Sequence, residues 1–285
     1  MDLIVILILC ILATTKVTLQ GFFAKKNVVT FSDGVFFNGL IFFFSALLLL
    51  KNAMDFKNGV ILFGGLFGIL TVLFQLCYIK AMSYGNVSLT VLAVNLSMMI
   101  PLTVSVFFYN EPMGGLRFVG ILLTIVSLTL NVDKKEKSTA FKKWLFLSLL
   151  ASLSNGGCAV CQQIFGKTEW KNETQGFVAW SYIIATVLSM LLYLVLRAKG
   201  RTITFKVKPS VFGISLAVGV VLGVFQFINT KAIACIDGTL LFPAYNGGTL
   251  ILSSISSILF LKDRLTNRQK ISVFIGIISI VLMNV

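Results

Sequence analysis

The sequence predicts an all-α membrane protein in which ten transmembrane helices form two inverted five-helix repeats around a central cavity. Three observations support this fold class. The chain of 285 residues is 57% hydrophobic and only 12% charged, apolar runs of about 20 residues recur along it, and its two halves resemble each other. The apolar share exceeds that of an ordinary soluble domain, so a water-facing exterior is excluded.

Ten apolar runs follow one another with short links between them, and a helix of about 20 residues crosses a hydrocarbon layer of about 30 Å. The predicted spans are residues 2–23, 33–50, 59–82, 87–109, 114–132, 143–166, 174–196, 209–233, 239–261 and 267–285. The first span could be mistaken for a secretory signal. It lacks a basic start and a small-residue cleavage site, and Lys16 and Gln20 interrupt it, so we interpret it as a retained helix.

The formal charge of +14 could suggest a nucleic-acid partner. The cations lie beside predicted membrane spans instead of along one soluble face, so we expect no nucleic-acid binding. Seventeen Lys and Arg residues lie in or beside the links 1–2, 3–4, 5–6, 7–8 and 9–10, and six lie in or beside the other links. The positive-inside rule therefore places the first set in the cytoplasm and both termini outside. We expect a multi-pass protein of the bacterial plasma membrane.

The cysteines and the absence of histidine limit the chemistry. All five cysteines lie in or directly beside apolar spans, where a thiol behaves as a small hydrophobe, so no disulfide framework is predicted. Cys158 and Cys161 form a C-x-x-C pattern within a predicted helix, which disfavours a redox motif. Because the chain has no histidine, imidazole metal sites and histidine bases are excluded. We expect no catalytic residue, no metal and no cofactor.

A repeated segment connects the two halves. Residues 74–95 and 225–246 agree at 7 of 22 positions at a spacing of 151. The shared polar residues are the pairs Gln75 and Gln226, Lys80 and Lys231, and Asn95 and Asn246. The predicted domains are a first repeat, residues 1–132, a charged linker, residues 133–141, and a second repeat, residues 142–285.

The odd number of spans in each repeat determines their relative orientation. After five crossings the second copy enters the membrane from the opposite side, so the two repeats are inverted. Inverted repeats are the recurring architecture of secondary transporters, whose substrate site lies near the midplane where the halves meet. Polar residues repeated at matching depths are then expected to line one shared cavity from both sides.

The chain resembles the drug/metabolite transporter superfamily, specifically the EamA-type proteins. The resemblance rests on the five-plus-five layout, on the KA ending of spans 3 and 8, and on an acidic residue after spans 4 and 9, in YNEPMGGLRFVGIL (109–122) and LKDRLTNRQKISVFIGII (261–278). It implies an importer or exporter of small metabolites whose cavity is formed mainly by spans 1, 3, 4, 6, 8 and 9. The prolines depart from the family pattern, since Pro101 lies late in span 4 and Pro243 early in span 9.

Polar residues within the spans are the candidate substrate-binding residues, because burying a polar group in hydrocarbon is unfavourable without a partner or water. Lys16 shares a helical face of span 1 with Gln20, and snorkelling to the nearer membrane surface is the alternative for this lysine. Asn155, Cys158 and Gln162 form one stripe on span 6. For this stripe the alternative is hydrogen bonding between helices.

The remaining candidates come from the repeat. They are Gln75 and Gln226 in spans 3 and 8, Asn95 and Asn246 in spans 4 and 9, Tyr245 beside the second asparagine, and Asn38 and Trp180, which match at a spacing of 142. Each amide alone could serve only to hold helices together. Four amides at symmetric positions favour a cavity, and Asn38 and Trp180 are the weaker candidates.

The predicted function follows from charge. All ten acidic residues lie at or beyond span ends, whereas Lys16 lies within a span, and a buried lysine repels cations and attracts carboxylate or phosphate. We therefore predict a carrier for a small polar, zwitterionic or anionic metabolite such as an amino acid, working by alternating access. The alternatives are a multidrug or cationic-compound exporter of the same fold, a membrane-embedded enzyme, and a non-transporting scaffold. Proton coupling and a monomeric or homodimeric state stay open, and the expected partners are the substrate and the lipid bilayer.

Overall fold

The structure is a computed structural model that describes residues 2–50, 57–85, 87–109, 114–131, 139–205, 208–236, 238–260 and 267–283. Its regular elements in these ranges are all helical. They are α1 (Asp2–Asn27), α2 (Phe31–Leu49), α3 (Asn58–Tyr84), α4 (Val87–Asn95), a 3-10 turn (Leu96–Met98), α5 (Met99–Tyr109), α6 (Gly115–Asn131), α7 (Thr139–Gly166), α8 (Thr174–Ala198), α9 (Pro209–Cys235), α10 (Gly238–Phe260) and α11 (Asn267–Met283).

The helices lie where the ten spans were predicted, and the fourth span is divided into α4, the 3-10 turn and α5. Within the described residues, seven helical stretches are long and apolar enough to cross a membrane. The helices α6, α10 and α11 lie at the other three predicted spans. The 17 residues of α6 or of α11 would rise by about 26 Å, close to the thickness of a hydrocarbon layer. The predicted all-helical membrane fold is confirmed.

One face of α3 shows why this molecule belongs in lipid. Leu62, Leu66, Ile69 and Leu73 recur at helical spacing and are all exposed, Leu62 by 72%. The opposite face of the same helix is buried, with Phe67 among the core residues. A continuous exposed apolar stripe is unfavourable in water and suits contact with acyl chains.

The contacts between helices have a reciprocal pattern. Helix α1 contacts α9 and α10, and its counterpart α7 contacts α3 and the pair α4 and α5. Helix α2 contacts α9, and its counterpart α8 contacts α3. Two pairs, α2 with α8 and α6 with α11, join a helix to its own counterpart. A two-fold axis that exchanges the halves leaves this set of contacts unchanged, as expected for two related repeats.

Glycines allow the halves to approach closely. A methyl group added to Gly68 of α3 would lie 2.6 Å from the carbonyl oxygen of Ser181 in α8. In the other half, a methyl group added to Gly219 of α9 would lie 2.8 Å from the carbonyl oxygen of Ile41 in α2. Both glycines belong to G-x-x-x-G patterns, so the patterns bring helix backbones together across the two halves.

A buried carboxylate joins the halves at one end of the bundle. Asp33 lies at the start of α2, where it forms a capping box with Thr30. Its Oδ2 accepts hydrogen bonds from the backbone N–H groups of Val29 and Thr30, at 3.0 and 2.7 Å, and from Thr204 Oγ1 at 2.8 Å. Its Oδ1 accepts from the backbone N–H of Thr204 at 2.6 Å. We call this arrangement the Asp33 clamp.

Neighbouring contacts support the clamp. Ser32 Oγ donates to the carbonyl oxygen of Arg201 at 2.9 Å. The ring of Phe205 packs edge-on against Phe23 of α1, with centroids 5.4 Å apart. Lys80 at the end of α3 donates to the carbonyl oxygen of Val29. The link between α8 and α9 is therefore fixed to the turn between α1 and α2.

Some sequence features lie at the start of a helix, and others lie outside the described residues. Pro101 lies in the first turn of α5, where its missing N–H leaves no helical hydrogen bond unmade. Most of the predicted linker, residues 133–141, lies outside the described residues, as do Glu111 and Asp263. The domain boundaries stay predictions.

Candidate functional site

A cavity of about 100 Å³ lies in the interior of the bundle. Its walls are formed by α1, α3, α4, α7, α9 and α10, with the 3-10 turn, Pro101 of α5 and Tyr182 of α8. Nine of the sequence-predicted candidates line it, namely Lys16, Gln75, Asn95, Asn155, Cys158, Gln162, Gln226, Tyr245 and Asn246. Both halves therefore contribute polar side chains to one cavity.

Lys16 is placed on the cavity side of α1. The residue is only 7% exposed, and its Nζ lies over the ring of Phe225 in α9, 5.1 Å from the ring centroid. No hydrogen bond or ion pair of this ammonium group is found within the described part of the chain. The side chain points into the bundle and not along a snorkelling path towards the membrane surface.

The asparagines of α4 and α10 meet across the two halves. Asn95 Nδ2 donates to the backbone oxygen of Asn246 at 3.2 Å, and Asn246 Nδ2 donates to the backbone oxygen of Phe242 at 2.6 Å. Asn95 is the last residue of α4, immediately before the 3-10 turn. The helix of the fourth span is therefore interrupted at the level of the cavity.

The stripe predicted on α7 lies along the cavity wall. Asn155 Nδ2 donates to Ser97 Oγ at 2.7 Å, and Cys158 Sγ lies 3.7 Å from Thr71 Oγ1. Gln162 Nε2 donates to Thr230 Oγ1 of α9 at 2.6 Å. These contacts fix side chains that also face the cavity, so the stripe both joins helices and lines the space.

Three predicted candidates do not line the cavity. Gln20 is buried behind it and donates from Nε2 to Gln75 Oε1 at 3.0 Å, so it holds a lining residue. Asn38 is fully buried on α2, a helix that contributes no residue to the lining, and neither amide atom has a hydrogen-bond partner within the described chain. Trp180 packs on α8 near Gly64 of α3. Asn38 is therefore buried between helices, and Trp180 is half-buried against α3, instead of facing the cavity.

Sequence reasoning missed the aromatic part of the wall. Phe67, Phe74 and Tyr78 line the cavity from α3, and Tyr182 and Phe225 line it from α8 and α9. The three residues on α3 share the face of Gln75 at helical spacing, which is the signal that could have identified them. In an apolar span such residues do not stand out from ordinary core residues.

The described part of the wall offers hydrogen-bonding groups and one positive charge. Among the described residues there is no group of three His, Cys, Asp or Glu side chains that could hold a metal ion. The polar side chains of the wall are amides, hydroxyls, a thiol and one ammonium group. These groups donate and accept hydrogen bonds and attract negative charge, which suits recognition of a small polar solute.

Fold and site together define an integral helical membrane bundle with a polar cavity between its halves. Residues 1–132 match the model of the EamA-like transporter family. The predicted resemblance to the drug/metabolite transporter superfamily is confirmed over these residues.

The structure also resembles solved proteins. One crystal structure of a protein aligns with a TM-score of 0.65 over 96% of this chain and 96% of its own, at 13% sequence identity. In all, 28 solved chains match. At this identity the likeness extends to the fold alone. No curated protein matches the sequence.

Proposed function

We propose that this protein is a secondary transporter that moves a small polar, zwitterionic or anionic metabolite, such as an amino acid, across the cell membrane. The observation that carries the proposal is the cavity between the halves, where the matched pairs Gln75 and Gln226, and Asn95 and Asn246, converge with Lys16. Paired polar residues at the seam of two repeats are consistent with alternating access, in which the substrate site lies near the midplane between the repeats.

The cavity is small in this conformation of the molecule. Its volume of about 100 Å³ is small beside the roughly 300–1,000 Å³ of most ligand pockets. The Asp33 clamp joins the halves at one end of the bundle in this state. Under the proposal, the clamp opens when the cavity is exposed to that side. No catalytic step is proposed for the cavity residues.

Transport by purified protein in liposomes tests the proposal. The assay measures uptake of radiolabelled amino acids, organic acids, sugars and nucleosides, compared with protein-free liposomes. The variant Asn155→Trp fills the cavity and should abolish uptake. The matched control is Phe146→Trp on the same helix, where the native side chain is 66% exposed on the lipid face, and it should transport normally.

Three outcomes would overturn the proposal or its assignment to this cavity. If no solute of the panel enters, the protein is not a carrier for these classes and a scaffold role is favoured. Chemical conversion of a solute in the same samples would favour an enzyme. Wild-type uptake by Asn155→Trp would show that the solute follows another path.

A further inference from the structure

The cavity has an unbalanced charge. Within the part of the chain that the structure describes, Lys16 is the one charged residue of the lining. Its ammonium group is nearly inaccessible and has the face of the Phe225 ring as a neighbour. A ring face attracts a cation only modestly, whereas a buried charge without a counter-charge is strongly unfavourable.

The nearby charged groups on the packed helices do not compensate Lys16. On α3, Lys80 is a further cation, and it donates to the carbonyl oxygen of Val29 near the end of the bundle. On α9, Lys231 is also a cation, and it is exposed, with its Nζ over Phe227. All ten acidic residues of the sequence lie at or beyond the predicted span ends. No acidic side chain lines the cavity among the described residues, so a bound ligand can supply the counter-charge to Lys16.

The lining groups indicate what the rest of that ligand can be. Gln75 Oε1 accepts a hydrogen bond from Gln20. The NH₂ group of Gln75 can therefore donate hydrogen bonds to a ligand in the cavity. Asn155 likewise uses its NH₂ towards Ser97, which leaves its oxygen as an acceptor. These neutral groups can satisfy a hydroxyl or an oxo group, and they supply no second full charge.

Resting on the proposed transport function, we propose that the cavity selects small monocarboxylates, whose single negative charge pairs with Lys16. A dianion would leave one charge unpaired in a space of low dielectric constant. The ammonium group of a zwitterion would be repelled by Lys16 and would find no carboxylate in the described wall. The inference narrows the substrate class from zwitterions and anions to monoanions.

Isosteric probes separate charge from shape. Lactate, lactamide and alanine are similar three-carbon solutes with a net negative charge, no charge and a zwitterionic charge, respectively. Benzoate, benzamide and benzylamine form a second set with an aromatic body. Binding of each probe to the purified full-length protein is measured by titration calorimetry, and the same probes compete with uptake in liposomes. At least one carboxylate should bind about tenfold or more tightly than its uncharged and amine-bearing isosteres.

Lysine variants test the assigned residue. Lys16→Met should remove the preference, so that carboxylate and amide bind equally, and Lys16→Arg should retain it. The matched control is Lys231→Met, an exposed lysine outside the cavity, which should bind as wild type does. Melting temperature and gel filtration verify that each variant is folded.

The outcomes distinguish this inference from the proposed function. Binding of lactamide, alanine or benzylamine at least as tight as that of the carboxylates would overturn the monoanion inference, and so would an unchanged preference in Lys16→Met. Failure of both carboxylates to bind would also overturn it. Uptake of alanine without any effect of the carboxylates would leave a transporter but end this inference, whereas absence of uptake for every solute would overturn the transport function itself.

Discussion

Ser127 of α6 and Ser272 of α11 bind each other reciprocally. Each hydroxyl donates to the backbone oxygen of the other residue at 2.7 Å, and the two hydroxyl oxygens lie 3.2 Å apart. The residues occupy counterpart helices of the two halves, so the pair lies where a two-fold axis relating the repeats would pass. Reciprocal contacts of this kind are typical of isologous interfaces.

The first prediction concerns this pair. Ser127→Ala and Ser272→Ala should each lower the free energy of unfolding by a similar small amount, about 0.6 kcal/mol, the average for hydrogen bonds between membrane helices. Because the two hydroxyls touch, the double variant should depart from additivity. Thermal unfolding in one detergent measures all three variants, with the exposed Ser210→Ala of α9 as a control. A several-fold difference between the single variants would contradict the reciprocal arrangement.

The second prediction concerns the glycine contacts. Gly68→Ala and Gly219→Ala should destabilise the protein by about 1–3 kcal/mol, because each new methyl group would meet a backbone carbonyl that cannot turn aside. Gly223→Ala should cost less, since its nearest neighbour is the flexible end of Leu48 at 3.2 Å. Unfolding midpoints measure the differences.

A matched control for the glycine variants lies on α9 as well. Gly213→Ala adds a methyl group where no atom lies within 4 Å, and alanine is the better helix former by about 1 kcal/mol. This variant should be as stable as wild type or more stable. If Gly68→Ala is as stable as Gly213→Ala, the result contradicts a close approach of α3 to α8 at Gly68.

The third prediction concerns the Asp33 clamp. Asp33→Ala should destabilise the protein by at least about 2 kcal/mol, because it leaves several buried donors without their charged acceptor. Thr204→Val removes only one of the four hydrogen bonds that the Asp33 carboxylate accepts. It should lower the free energy of unfolding by about 1 kcal/mol. The measurements are thermal unfolding and the rate of proteolysis within residues 199–205. The exposed acidic residue Glu169, changed to alanine, should alter stability by less than about 0.5 kcal/mol.

The fourth prediction concerns thiol access. Cys158 is buried in the cavity wall, whereas Cys235 is exposed at the end of α9. A small methanethiosulfonate reagent should modify Cys235 quickly and Cys158 slowly, and a transported solute should slow only the reaction at Cys158. Peptide mass spectrometry resolves the two rates. If Cys158 never reacts in liposomes, the α7 stripe does not line the transport path.

The sequence predicted the ten helices and most of the polar cavity wall for one physical reason. A polar group in an apolar span must face a partner or water, so Lys16, Gln75 and Asn95 were already conspicuous in the sequence. The same criterion selected Asn38, which is buried on a helix outside the ring around the cavity. A polar residue within an apolar span looks the same in the sequence whether it is buried between helices or faces a cavity.

Other features depended on contacts between distant residues. The sequence placed Asp33 at a helix end but could not show that the link between α8 and α9 returns to it, since Thr204 lies 171 residues away. Ser127 and Ser272 are likewise 145 residues apart. The aromatic wall residues Phe67 and Phe74 resemble core residues until the helices are assembled.

The crossing of α3 and α8 at Gly68 has a mechanical consequence. At Gly68 the backbone of α3 lies against the carbonyl oxygen of Ser181, and nearby the rings of Phe67 and Phe177 pack with centroids 5.3 Å apart. When two helices rotate about a point of close contact, the displacement of each helix increases towards its ends. Any rocking of the halves that keeps this contact would move the mouths of the bundle far more than its middle.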